Sequence, residues 1–204
     1  MTPKDTNKRH RNPTTTMTNI DLDTEYGTLR CTVVEASGES IVIAYNDQYQ
    51  GDAPFVRIHS SCLFSEAFHT RDCDCAEQLH SALDYIGKNG GYLIYLYQEG
   101  RGVGISEKLK AISLQHQNNI NTAEAFSLLG HPPDCRSFSS AAEALRLLGI
   151  NQVVLDTSNP IKLASLEAFG IRVLERIRLP IKSSDKIEKY VFEKQAALKH
   201  YENN

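Results

Sequence analysis

With 204 residues, 41% of them hydrophobic and 23% charged, the chain has the composition of a soluble globular protein large enough to bury a core. Its 22 Lys and Arg against 25 Asp and Glu give a formal charge of -3, which counts against a general nucleic-acid binder but leaves room for a local basic pocket. No apolar run approaches the ~20 residues that a membrane helix needs.

Residues 1–18 are polar and carry Lys4, Lys8, Arg9 and Arg11. They lack the apolar centre of a signal peptide and read as a flexible tail, so a cytoplasmic location is expected. Next, Leu29 to Glu35 and Ile41 to Tyr45 read as strands around the turn Ser37-Gly38-Glu39-Ser40, and Pro54 to His59 reads as a third. A helix is predicted from Cys75, with Leu79, Ala82, Leu83 and Ile86 on one face and Asn89-Gly90-Gly91 as its end. Tyr92 to Tyr97 suits a buried strand. Ser106 to Gln117 has helical spacing through Leu109, Ile112 and Leu114. Further on, a helix opens at Ser139 and stops at Gly149, Val153 to Asp156 is a strand, Pro160 to Phe169 a helix, and Ile171 to Ile177 a strand. This alternation predicts an α/β fold, and the antiparallel-looking start predicts a mixed sheet. Asp185 to Tyr201 reads as an amphipathic helix.

The most specific local feature is Cys62-x10-Cys73-Asp74-Cys75. In a cytoplasmic chain such a cluster points to a metal or to catalysis before a disulfide. Thiolates suit zinc, and the mouth of a helix favours the thiolate form. Three protein ligands leave one tetrahedral position for water, whose pKa falls to roughly 7 on zinc. A structural site completed by His59 or His69 is the alternative. Cys31 reads as a core residue, and Cys135 stands apart from the cluster. Phosphate-loop and dinucleotide glycine motifs are absent, and His200-Tyr201-Glu202 lacks the following cysteines of a nucleobase deaminase.

Three stretches, Arg57-Ile58-His59-Ser60-Ser61-Cys62, Cys73-Asp74-Cys75-Ala76-Glu77-Gln78-Leu79 and Gln98-Glu99-Gly100-Arg101-Gly102-Val103-Gly104, together resemble GTP cyclohydrolase II. The likeness continues through Asn121-Thr122, Asp134-Cys135-Arg136 and Thr157-Ser158-Asn159-Pro160-Ile161-Lys162, in the family's order. The resemblance implies a three-layer α/β/α fold with a mixed β-sheet over residues 19–182, a C-terminal helix over 183–204, and a homodimer. It implies hydrolysis of GTP to a diaminopyrimidine ribosyl phosphate, formate and pyrophosphate, the entry step to riboflavin, with zinc and magnesium. By position, Cys62, Cys73 and Cys75 are the implied zinc ligands. Arg57, Ile58, His59, Ser60, Ser61, Gln78, Glu99, Gly100, Arg101, Thr122, Thr157 and Lys162 are the implied GTP contacts. Asp134 is the implied proton acceptor and Arg136 the implied nucleophile, a demanding role for a guanidinium that stays protonated. Read alone, Asp134 and Arg136 form a surface ion pair, the glycines after Glu99 a turn, and Thr157 a helix cap.

Several positions depart from the family's pattern. Ser61 stands where a Glu is usual, Ala76 for Gly, Gly102 for Asn, Ile112 for Tyr, and Ile161 for Lys; the basic residue beside the cysteine pair is displaced to Arg71. Loss of the Tyr hydroxyl at Ile112 removes a donor or acid. Two alternatives therefore stand beside the full reaction: a member that stops at the formylamino pyrimidine, and a non-catalytic guanine-nucleotide-binding zinc protein. A nucleic-acid-binding zinc module is disfavoured by charge.

Overall fold

The structure, a computed structural model, describes residues 18–181 together with Phe192, Leu198 and Lys199. The tail and the C-terminal helix read from the sequence lie almost wholly outside those residues. Seven strands follow in chain order: β1 (Asn19–Thr24), β2 (Gly27–Ala36), β3 (Glu39–Asn46), β4 (Phe55–Ser60), β5 (Gly91–Leu96), β6 (Gln152–Asp156) and β7 (Arg172–Ile177). They form one sheet in the order β1-β2-β3-β5-β4-β6-β7. The first half is antiparallel, and β5, β4, β6 and β7 run parallel. The mixed sheet predicted from the strand pattern is present.

The local chemistry explains this arrangement. Ser37 and Gly38 both have positive φ (49° and 79°), the geometry of a two-residue hairpin turn matched to strand twist, so β2 and β3 pair directly. Along β2, Thr32, Val34 and Ala36 alternate as buried residues of one face, while Leu29 is buried against the other. Strand β4 is buried at Phe55, Val56, Arg57, Ile58 and His59, as a central strand covered on both faces must be.

Among the described residues six α-helices cover the sheet and its end: α1 (Leu63–Glu66), α2 (Cys75–Asn89), α3 (Ile105–Asn118), α4 (Thr122–Leu128), α5 (Ser139–Leu147) and α6 (Pro160–Ala168). On one face Val34, Ile43, Ile58 and Leu155 pack with Ala141 and Leu145 of α5 and Leu166 of α6. On the other, Leu29, Phe55 and Leu93 pack with Ala82 and Ile86 of α2. A third cluster joins Ala111 of α3 to Ala125 and Phe126 of α4. Helix α4, not foreseen, carries a full capping box: Asn121 accepts from the Glu124 amide, and Glu124 accepts from the Asn121 amide. The cap of α6 is Asn159, not Thr157; the Thr157 hydroxyl instead accepts from the Asn159 amide at 3.0 Å.

The chain leaves β4 for β5 on one side, then passes from β5 to β6 on the other. The connections therefore diverge at the carboxyl ends of β4 and β5, where open α/β sheets leave a crevice. Cys62 follows β4, and the Glu99 turn follows β5.

Candidate active site

Each cysteine is placed by a different local device. Cys62 caps α1, and its amide donates to Glu66 Oε1 at 2.7 Å. Cys75 opens α2, whose first turn is tied to α1 by the Ala76 amide donating to Ser65 Oγ at 2.9 Å. Cys73 lies on the connecting loop. The three Sγ atoms fall within 4.8 Å of one another, and Cys62 and Cys73 are 3.7 Å apart. A tetrahedron with thiolate arms of about 2.3 Å has edges near ~3.8 Å, so the spacing fits three sulfurs on one ion. Among the described residues no fourth His, Cys, Asp or Glu atom joins this group. His59, one alternative fourth ligand, has its Nε2 3.0 Å from Glu66 instead.

Behind Cys62 lies a small buried network. The Tyr95 hydroxyl donates to Glu66 Oε2 at 2.6 Å, and His59 meets Oε1. Burial alone would raise the Glu66 pKa, but bonds from His59, Tyr95 and the Cys62 amide outweigh it and hold the carboxylate ionised. Burial pushes the His59 pKa down, so the ring is neutral, with Nε2–H donating to Glu66 and Nδ1 left buried without a partner among the described residues.

The sulfurs form one wall of a cavity of about 350 Å³, within the range of small-molecule sites. Ser60, Ser61, Glu99, Gly100, Arg101, Thr122 and Arg136 also line it, as do Phe64, Leu109, Ile112 and Phe126. Arg136 donates to Asp134 through Nε (2.9 Å) and a terminal nitrogen (2.6 Å), and its amide adds a third bond (3.0 Å). Burial pushes the Asp134 pKa up, but this pairing outweighs it and the carboxyl lies below its usual range. Arg136 lines the cavity with Asp134 behind it, and their side chains are only 15% and 5% exposed, so this is not a surface ion pair.

A second group of the expected contacts sits away from that wall. Arg57 pairs with Asp156 at 2.9 Å and donates to Gln78, which in turn donates to Asp74. Lys162 donates to the Ile58 carbonyl at 2.7 Å. Ile58, His59 and Thr157 are buried with Arg57, Asp74, Asp156 and Lys162, while Gln78 is half-buried in the first turn of α2.

Lys108 was not singled out from the sequence. Its ammonium is 3.0 Å from Cys62 Sγ and 2.6 Å from Glu99 Oε1. It was hidden because the apolar period of α3 runs through Leu109 and Ile112, which face the cavity mouth rather than the core; Leu109 is exposed. Burial alone would lower the Lys108 pKa; Glu99 and Cys62 outweigh this and raise it. Bonds with Cys73 and Cys75, aided by Lys108, hold the Cys62 thiol far below its usual range.

Gly102 has φ of +91°, and a Cβ there would lie 2.9 Å from the Cys135 carbonyl carbon. The family's usual Asn therefore does not fit. Gly102→Asn is expected to cost about 1–3 kcal/mol of stability through backbone strain and to push the Asp134 to Arg136 loop aside. A thermal melt with unchanged midpoint would contradict this.

A cluster of three thiols opening into a ligand pocket lined by Arg101, Lys108 and Arg136, on a mixed α/β/α sheet, defines the class of protein. The comparisons with known proteins make it specific. The model of the GTP cyclohydrolase II family matches residues 15–178. The GTP cyclohydrolase-2 of Vibrio parahaemolyticus is 38% identical over 180 residues, 88% of this chain and 90% of that protein. The riboflavin biosynthesis proteins RibBA of Phocaeicola vulgatus and Bacillus subtilis are each 40% identical across 89% of this chain and 46% of their own length. The chain thus spans about half the length of the RibBA relatives. This chain belongs to the GTP cyclohydrolase II family. No helix among the described residues is long and apolar enough to cross a membrane.

Proposed function

We propose that this protein opens the imidazole ring of GTP at C8 and releases pyrophosphate and formate, giving 2,5-diamino-6-(5-phosphoribosylamino)pyrimidin-4(3H)-one for a riboflavin-type pathway. It acts as a cytoplasmic homodimer and binds neither nucleic acid nor membrane. The observation that carries the reading is the convergence of three thiols on the wall of a nucleotide-sized cavity in a member of this family.

Cys62, Cys73 and Cys75 would hold zinc, which supplies the Lewis acidity that makes water a nucleophile near neutral pH. The aromatic faces of Phe64 and Phe126 and the apolar Leu109 and Ile112 give the purine plane a dry slot. Arg101 and Arg136 offer forked donors for phosphate, alongside magnesium. Arg57, Thr157 and Lys162 join as triphosphate contacts when they exchange their present protein acceptors for phosphate oxygens. Glu99 reads the amide edge of guanine, joined by Gln78 when it exchanges its bonds to Arg57 and Asp74. Asp134 takes the proton that Arg136 gives up as its nitrogen attacks the α-phosphorus and displaces pyrophosphate, and water then cleaves the phosphorus–nitrogen bond. Ser60, Ser61, Gly100 and Thr122 complete the wall with small polar surfaces, backed by Ile58 and His59.

Ile112 favours a second reading, because it lines the cavity where a tyrosine hydroxyl is usual. Without that donor the enzyme would stop at the formylamino pyrimidine. The test is incubation of pure protein with GTP, zinc and magnesium, with formate, pyrophosphate and the pyrimidine product quantified by mass spectrometry. The leading reading expects formate equal to pyrophosphate. A product retaining the formyl group, with Ile112→Tyr restoring formate, would establish the second. GTP binding without turnover would overturn both and leave a non-catalytic binder.

A further inference from the structure

We infer that Lys108 is a positioning residue for the metal centre: its ammonium fixes the Cys62 sulfur and offsets the charge of the three-thiolate set. The inference rests on the metal reading above and adds a residue outside the metal-ligand set.

The geometry is specific. Lys108 Nζ lies 3.0 Å from Cys62 Sγ, 2.6 Å from Glu99 Oε1 and 5.3 Å from the centre of the Phe64 ring. Glu99 is fixed in turn: Oε2 accepts from the Leu63 amide at 2.7 Å and Oε1 from the Gly100 amide at 3.1 Å. The ion pair therefore holds the peptide just after Cys62 as well as its sulfur, while Glu66 holds the peptide nitrogen of Cys62 itself. Room for this approach depends on Gly100, which turns at φ +62°; a Cβ there would stand 3.1 Å from the Lys108 Cβ. The Lys108 and Glu99 side chains are 18% and 15% exposed, so water screens the contact weakly.

The consequence is electronic. Three thiolates around a divalent cation carry one excess negative charge, which would blunt the cation as a Lewis acid. An N–H donor on one sulfur draws electron density from it and lowers the energy of its lone pairs. Lys108 thereby sharpens the centre without touching the ion, as groups behind metal ligands do.

Cobalt reports the effect directly, because its sulfur-to-metal charge-transfer band rises in energy when the sulfur is hydrogen-bonded. The experiment compares cobalt-loaded parent, Lys108→Met and Lys108→Arg proteins. We expect the band to move to longer wavelength in Lys108→Met and to return toward the parent position in Lys108→Arg. With zinc, kcat for GTP should fall about 10–100-fold in Lys108→Met with KM unchanged. A band that does not move at full cobalt occupancy overturns the inference, as does a loss confined to KM, which would make Lys108 a substrate contact. If Lys108→Met does not fold, Lys108→Gln is read on the same band and must shift in the same direction. A parent protein that shows no sulfur-to-cobalt band overturns the metal reading itself, a result distinct from an unmoved band.

Discussion

Cys73→Ser is expected to lose the metal and, with it, at least a thousandfold of GTP ring opening. The sulfur it removes lies 3.7 Å from Cys62 Sγ and inside the only such group of three among the described residues. A serine hydroxyl is neutral at pH 7 and a poor partner for zinc, so two thiolates remain where three were needed. A loss of roughly 4 kcal/mol in metal affinity is about a thousandfold in occupancy at limiting zinc. The fold should survive, because Cys73 lies on a loop outside every strand and helix. Metal content per chain, circular dichroism and pyrophosphate release, measured on one preparation, separate these effects. A folded, metal-free Cys73→Ser protein turning over GTP at the parent rate would refute the mechanism.

Much of this architecture was legible in the residues because packing and pattern agree. Leu79, Ala82, Leu83 and Ile86 recur at helical spacing, and α2 lays Ala82 and Ile86 against the sheet. The continuous apolar run at Tyr92 became β5 between two partners. Strand β1 and helix α1 were not legible, although β7 at the opposite edge was. Strand β1 has an exposed Ile20 and Leu22 and carries no burial signal, and α1 has four residues, too few to show a period.

The site divides in the same way. The cysteine spacing announced a cluster, since thiols are soft, scarce and easily recognised. Lys108 announced nothing, since a lysine on a helix is usually solvated and only the fold brings it to Cys62. The period of α3 misleads for a related reason. A face that binds an apolar ligand plane and a face that packs on a core select the same side chains, so the spacing of Leu109 and Ile112 alone does not distinguish a cavity lining from a core. The expected contacts divide as well. Arg101 and Arg136 reach the cavity directly, whereas Arg57 and Lys162 satisfy their charge on Asp156 and the Ile58 carbonyl behind it. Buried cations require such partners, and motif order alone carries no information about which partner holds them.

Asp134→Asn is expected to keep metal and fold yet lose about 10²–10⁴ of kcat, the usual scale for removing a positioned proton acceptor. Asparagine is the decisive replacement. Its carbonyl oxygen can still accept from the Arg136 amide and Nε, as Asp134 Oδ1 does now at 3.0 and 2.9 Å, so two of the three bonds that shape the loop remain, while the 2.6 Å bond to the Arg136 terminal nitrogen is lost. What it loses is the charge and the ability to take a proton. The sign of the pH effect follows from the lowered pKa of the paired carboxyl. The carboxylate is fully ionised above the ordinary value of about 3.9, and the stability it contributes is present there and is lost as pH falls through its folded pKa. The parent should therefore gain stability over Asp134→Asn as pH rises from the lowered folded pKa to the ordinary value of about 3.9, and keep that difference at neutral pH. If instead Asp134→Asn turns over GTP at the parent rate near neutral pH, the carboxylate serves only to hold the Arg136 fork against the cavity, and proton transfer belongs to another group.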